Sequence, residues 1–119
     1  MKSVIELDSQ SFETELGKAG VPVVVDFYAP WCGPCKMLEP LLDTLSGELD
    51  GRVRFARVNV DCAPDLAARY GITGVPTLII FKNGIILDTL VGIPSPRALR
   101  ARLEELAPPP APASAPSAF

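Results

Sequence analysis

Alternating strand and helix signals, one strand apolar on both faces, and a closing Asn-Gly hairpin predict an α/β protein of three α/β/α layers. The prediction is a central mixed sheet of about five strands flanked by four helices. Strands separated by helices need long connections, which favours parallel pairing early in the chain. The run Val21-Pro22-Val23-Val24-Val25-Asp26-Phe27-Tyr28 is β-branched and aromatic at consecutive positions. A strand covered on both sides has that pattern, whereas a half-exposed one alternates. Asn83-Gly84 suits the left-handed backbone of a two-residue turn, so the last two strands should be antiparallel.

The elements follow in order. Val4 to Leu7 is a short strand candidate, and Asp8 or Ser9 can cap a helix with Phe12 and Leu16 on one face. Gly17 to Gly20 ends that helix, and the apolar strand over 21–28 follows. From Pro34 to about Leu49, Met37, Leu38, Leu41, Leu42 and Leu45 recur at helical spacing, with Pro40 expected to kink the helix. Arg52 to Val60 is a strand; Ala63 to Tyr70 is a short helix with Asp61 serving its start and Gly71 stopping it. Val75 to Phe81 and Ile85 to Val91 form the hairpin arms, and Ser95-Pro96 opens a helix reaching Leu106.

One domain over 1–107 accounts for these elements, and residues 108–119 differ in kind. That Pro/Ala-rich stretch, Pro-Pro-Pro-Ala-Pro-Ala-Ser-Ala-Pro-Ser-Ala-Phe, has no charge and no face to bury, so a flexible tail is expected. Docking of Phe119 and its prolines on an apolar groove is the alternative. A 48% hydrophobic, 21% charged composition fits a globular core, and a net charge of −3 argues against nucleic acid as partner. No apolar run approaches the roughly 20 residues that cross a membrane. Acidic residues interrupt the first eight positions before any signal-peptide pattern develops, so a cytoplasmic setting is expected.

The chemistry concentrates at Trp31-Cys32-Gly33-Pro34-Cys35-Lys36. A strand ends just before this segment and a helix begins within it, which puts Cys32 at a helix N-terminus. Unpaired backbone donors and the helix dipole there favour a thiolate. Cys35 returns one helical turn later, within reach of a disulfide. Cys32 is thus the expected exposed nucleophile and Cys35 the sheltered resolving thiol. Gly33 admits a partner chain closely, and Pro34 pre-sets the first helical turn. Half of many zinc sites looks similar, but the chain has no histidine and only one further cysteine, Cys62. No metal is expected. Asp26, an acid within an apolar strand, should have its pKa raised by desolvation.

The segment from Phe27 through Trp31-Cys32-Gly33-Pro34-Cys35 to Met37 resembles the active-site signature of the thioredoxin family. The resemblance runs on through Asp26, Pro40, Tyr70 to Thr77, Phe81-Lys82-Asn83-Gly84 and Gly92, and covers residues 1 to 107. It implies a thioredoxin fold and reduction of protein disulfides in redox homeostasis, with no bound cofactor. Electrons would come from NADPH through a flavoprotein thioredoxin reductase, and the chain would act as a monomer. It further implies that Asp26 is a buried acid–base for Cys35 and that Val75–Pro76 is cis and faces the cysteines. Trp31, Gly74, Val75, Gly92 and Ile93 would then rim a substrate surface.

Two departures stand out from the family pattern. Tyr28 replaces a frequent tryptophan and brings a hydroxyl that needs a partner. Arg57 stands where lysine is common; with Val53, Phe55 and Asn59 it shares one strand face. Its permanent charge should hold Asp26 ionised more firmly than lysine would. Oxidases and isomerases of the superfamily tend to place histidine between the cysteines, so Gly33-Pro34 points to the reducing direction. Cys62 is taken as an ordinary residue at a helix start, with a regulatory thiol as the alternative. A non-enzymatic subunit of a larger complex is the alternative for the chain as a whole.

Overall fold

The computed structural model describes residues 4–110. Nine elements run in the order expected: β1 Val4–Leu7, α1 Phe12–Gly17, β2 Val23–Tyr28, α2 Gly33–Glu48, β3 Arg54–Asn59, α3 Pro64–Arg69, β4 Thr77–Lys82, β5 Ile85–Val91 and α4 Pro96–Leu106. They build one five-stranded sheet of order β1-β3-β2-β4-β5, with β1, β3 and β2 parallel and β4 and β5 antiparallel to their neighbours. Asn83 at φ 53° and Gly84 at φ 78° give the β4–β5 turn its left-handed backbone. The tail expected over 108–119 lies outside the described residues from position 111 onward. Within the described part, the Pro108 carbonyl accepts a hydrogen bond from Arg52 Nε at 2.9 Å.

Alternation along β2 divides the core into two halves. Val23, Val25 and Phe27 face α1 and α3, where Phe12, Leu16 and Leu66 cover them. Val24 faces α2 and α4, against Leu38, Leu42, Leu45, Leu99 and Leu103. Asp26, two residues after Val24, shares the α2 face. On the α1 side, Phe12 is the centre of an aromatic group, its ring centroid 5.5 Å from Tyr70, 5.9 Å from Phe81 and 6.4 Å from Phe27. Phe12→Ala should cost about 3–5 kcal/mol, since it opens a cavity among rings already fixed by two other elements. Denaturant unfolding checks this; a loss under ~1 kcal/mol would show that the pocket collapses.

Helix ends are where the elements differ from expectation. The cap of α1 is Ser11, not Asp8 or Ser9. The Asp8 carboxylate is occupied just upstream, accepting from the backbone of Gln10 and Ser11. Asp61 does not cap α3, because Pro64 takes the first helical position and Ala63 becomes the cap residue. Asp61 instead accepts a hydrogen bond from Trp31 Nε1 at 3.0 Å. Met37, expected on the apolar face of α2, is 72% exposed. The buried stripe is Cys35, Leu38, Leu42 and Leu45, and α2 continues through Pro40. Ser95 caps α4 as expected, accepting from Ala98 N.

Candidate active site

The β2–α2 junction creates the site. Cys32 is the N-cap of α2, its extended backbone (φ −89°, ψ 112°) turning the chain from the loop into the helix. Its Sγ accepts a hydrogen bond from Cys35 N at 3.2 Å. A sulfur thereby occupies the position that a serine or aspartate oxygen takes in an ordinary cap. The same donor and the helix dipole would stabilise a thiolate on Cys32. Cys32 and Cys35 are joined as a disulfide with Cα atoms 5.3 Å apart. Pro34 lies in the first turn of α2, and a Cβ built on Gly33 would meet nothing within 4 Å. Glycine at 33 therefore leaves the approach above the sulfurs open.

The two sulfurs are less unequal in exposure than expected. Cys32 is only 4% exposed and Cys35 1%, so Cys32 is not the open residue that the sequence suggested. Ala29, Val60 and Val75 pack around the pair. The Val75 carbonyl oxygen lies 3.7 Å from Cys32 Sγ, and the Val75–Pro76 peptide is cis. Thr77 Oγ1 donates to the Gly74 carbonyl at 2.7 Å, and Gly92 N donates to the Pro76 carbonyl at 2.8 Å. These two bonds fix the loop facing the cysteines from either side.

Of the expected rim, Trp31, Gly74 and Val75 line one apolar groove of about 290 Å3. Val60, Pro64, Ala67, Ile72 and Thr73 complete it; Ile72 and Thr73 lie in the stretch that carries the family resemblance, but none of the five was expected at the rim. Ordinary core-like residues of α3 and its loops carry no local signal of function. Gly92 and Ile93 lie outside that groove, beyond Pro76, with Ile93 46% exposed. Trp31 is 72% exposed, its ring tethered by Asp61. Cys62, two residues short of α3, is exposed and free.

Asp26 is 1% exposed, and neither carboxyl oxygen has a hydrogen-bond partner among the described residues. Burial pushes its pKa up to about 7; the Arg57 charge opposes that shift, and Glu39 and Glu6 reinforce it. Asp26 and Arg57 are direct partners across β2 and β3. The Arg57 charge favours the ionised carboxylate, the direction expected, but no hydrogen bond or ion pair joins the two side chains. Arg57 Nη2 donates to Glu39 Oε2 at 3.1 Å, its Nε is 3.6 Å from Glu6 Oε1, and its guanidinium carbon lies 3.9 Å from the Tyr28 ring centre. The Tyr28 hydroxyl finds its partner in Glu6 Oε2 at 2.8 Å. A cavity of about 30 Å3, the size of one water molecule, lies between Asp26, Arg57, Glu39 and Asp43.

A disulfide at the N-terminus of a helix, a cis-proline facing it, and a mixed sheet beneath both define a dithiol–disulfide oxidoreductase of α/β/α architecture. Comparison with known proteins agrees. The thioredoxin family model matches residues 3–105. The chain is similar to a thioredoxin of Rickettsia felis, 45% identical over 89 residues that cover 75% of this chain and 85% of the relative. It is also similar to thioredoxin 1 of a Nostoc species (39% identical over 105 residues, 88% and 98% covered) and to a thioredoxin of Porphyra purpurea (40% over 103 residues, 87% and 96%). The chain belongs to the thioredoxin family, whose members are protein disulfide oxidoreductases. Among the described residues no cluster of metal-binding side chains occurs, and no helix is long and apolar enough to cross a membrane.

Proposed function

We propose that residues 1–107 form the working domain of a protein-disulfide reductase in which Cys32 is the nucleophile, Cys35 the resolving thiol and Asp26 its proton acceptor. The Cys32 thiolate attacks one sulfur of a substrate disulfide. That S–S bond breaks, a Cys32–substrate bond forms, and the departing thiolate takes a proton from solvent. Cys35 then gives its proton to the Asp26 carboxylate and attacks Cys32 Sγ. The mixed disulfide breaks, the second substrate thiolate leaves and is protonated, and the Cys32–Cys35 disulfide forms, its two electrons having passed to the substrate.

The observation that carries this reading is the cap of α2: one backbone N–H serves the Cys32 sulfur and belongs to the residue that must later attack it. The groove beside Trp31 and the Val75 backbone offer an apolar, strand-like seat for an unfolded or loop-borne substrate segment. Gly33 and Pro34 keep the turn short, and Gly74, Pro76, Gly92 and Ile93 shape the approach. Regeneration requires two electrons and two protons, for which a flavoprotein thioredoxin reductase drawing on NADPH is the fitting donor. A cytoplasmic, monomeric protein with a passive tail from 108 completes the proposal.

Insulin reduction by dithiothreitol tests it. The wild-type chain should speed precipitation of the insulin B chain many-fold, and Cys32→Ser should return it to the rate of dithiothreitol alone. No acceleration by the wild-type chain would overturn the proposal.

A further inference from the structure

We propose that Glu39, four residues after Cys35 on α2, is a positioning residue that holds the Arg57 guanidinium off Asp26 and so keeps that carboxyl free to exchange a proton. The proposal rests on Asp26 serving Cys35 as acid–base, and it names the group that sustains that service in this chain.

Strand register sets the problem. Glu6, Arg57 and Asp26 are consecutive partners across β1, β3 and β2, and neighbouring strands lie about 4.8 Å apart. A guanidinium in the middle of such a row has a carboxylate on either hand. With five donors, it would ordinarily take a buried aspartate as a bidentate partner. Such a pair would keep Asp26 ionised and make it a poor proton acceptor.

The observed arrangement is different, and three outer groups account for it. Glu39 reaches down from α2 to accept from Arg57 Nη2 at 3.1 Å. Glu6 approaches Arg57 Nε from β1 at 3.6 Å and is itself anchored by the Tyr28 hydroxyl. The Tyr28 ring supports the guanidinium carbon at 3.9 Å. Asp26 is left with two unpartnered oxygens at the wall of the small cavity that Glu39 and Arg57 also line. Asp43, from the next turn of α2, adds a further carboxylate there. The partner of Asp26 on β4 is Leu78, which brings no charge. One cation therefore faces Glu6, Glu39 and Asp43, and a proton on Asp26 relieves the excess of negative charge.

Of the three outer groups, Glu39 is decisive because, among the described residues, it alone accepts a hydrogen bond from the guanidinium. The Glu6 contact is a longer ion pair, and Arg57 Nε makes no hydrogen bond. Glu39 also belongs to the helix that carries Cys35, so the resolving thiol and the group that holds Arg57 away move as one body.

The test is the titration of the Asp26 carboxyl by 13C NMR in the full reduced chain, assigned by its loss in Asp26→Asn. Glu39→Gln should lower the midpoint by about one pH unit, as a released guanidinium turns to Asp26. The acid limb of insulin reduction should move down with it. Glu39→Asp, which keeps the charge, should restore at least half of the shift. In an Arg57→Gln background the Glu39→Gln shift should shrink to a small remainder, because the residue acts through Arg57. An unmoved midpoint in Glu39→Gln, or an undiminished shift without Arg57, would overturn the positioning role while leaving the reductase reading in place. If Asp26→Asn left the pH profile of turnover unchanged, the acid–base role beneath the proposal would fall with it.

Discussion

Cys35→Ser should stop the chain at its half-way point: reduced protein mixed with a disulfide-bearing substrate should accumulate a covalent adduct on Cys32 instead of releasing product. The N-cap bond explains why the first half survives. Cys32 Sγ is served by the backbone N–H of residue 35, and a serine there retains that donor. The dipole of α2 also stays, and Gly33 keeps the approach open. What is lost is the only thiol placed to attack Cys32 Sγ from within the same helical turn, since Cys62 sits on the loop before α3. Without added reductant, wild-type protein should end as the Cys32–Cys35 disulfide with free substrate thiols. The variant should end as a mixed disulfide of summed mass, released by dithiothreitol. Mass spectrometry under non-reducing conditions separates the two, and product release by Cys35→Ser at the wild-type level would show that resolution uses another thiol.

How much of this was legible in the chain depends on the range of the interaction. Element order followed from local signals: the doubly apolar β2, the Asn83-Gly84 turn and the Ser95-Pro96 start each act within a few residues. Helix caps at Ser11 and Ala63 were missed because several polar residues compete there, and a proline at position 64 decides the matter. Cys32, Cys35 and Asp26 stood out because their residue types are unusual for their surroundings. Glu39 and Glu6 did not. Each looks like a surface acid, and only the strand order β1-β3-β2 and the packing of α2 bring them to one guanidinium. Arg57 shows the same limit from the other side: its face could be inferred from alternation, but its partners belong to three other elements. The groove residues Val60 and Ala67 were equally silent, since isolated apolar side chains usually signal packing.

Asp26→Asn should stabilise the oxidised protein, and the gain should depend on pH in a defined direction. In the folded chain burial pushes the carboxyl pKa up to about 7, against 3.8 for a freely solvated aspartate. Below pH ~4 both folded and unfolded chains hold the proton, and Asp26 costs nothing through ionisation. Between about 4 and 7 the unfolded chain gives up its proton while the folded one keeps it, so stability falls as pH rises. A gap of about three pKa units corresponds to about 4 kcal/mol, fully present above pH 7. Asparagine removes this dependence whatever its own packing cost, because it does not titrate. The stability difference between variant and wild type should therefore grow by about 4 kcal/mol from pH 4 to pH 8. Against a typical domain stability of about 5–15 kcal/mol, that is a heavy cost. It is the expected sign for a group retained for chemistry and not for folding. Urea unfolding at both pH values decides it; parallel curves for the two proteins would mean that Asp26 ionises normally, and would remove the basis for its proton exchange with Cys35.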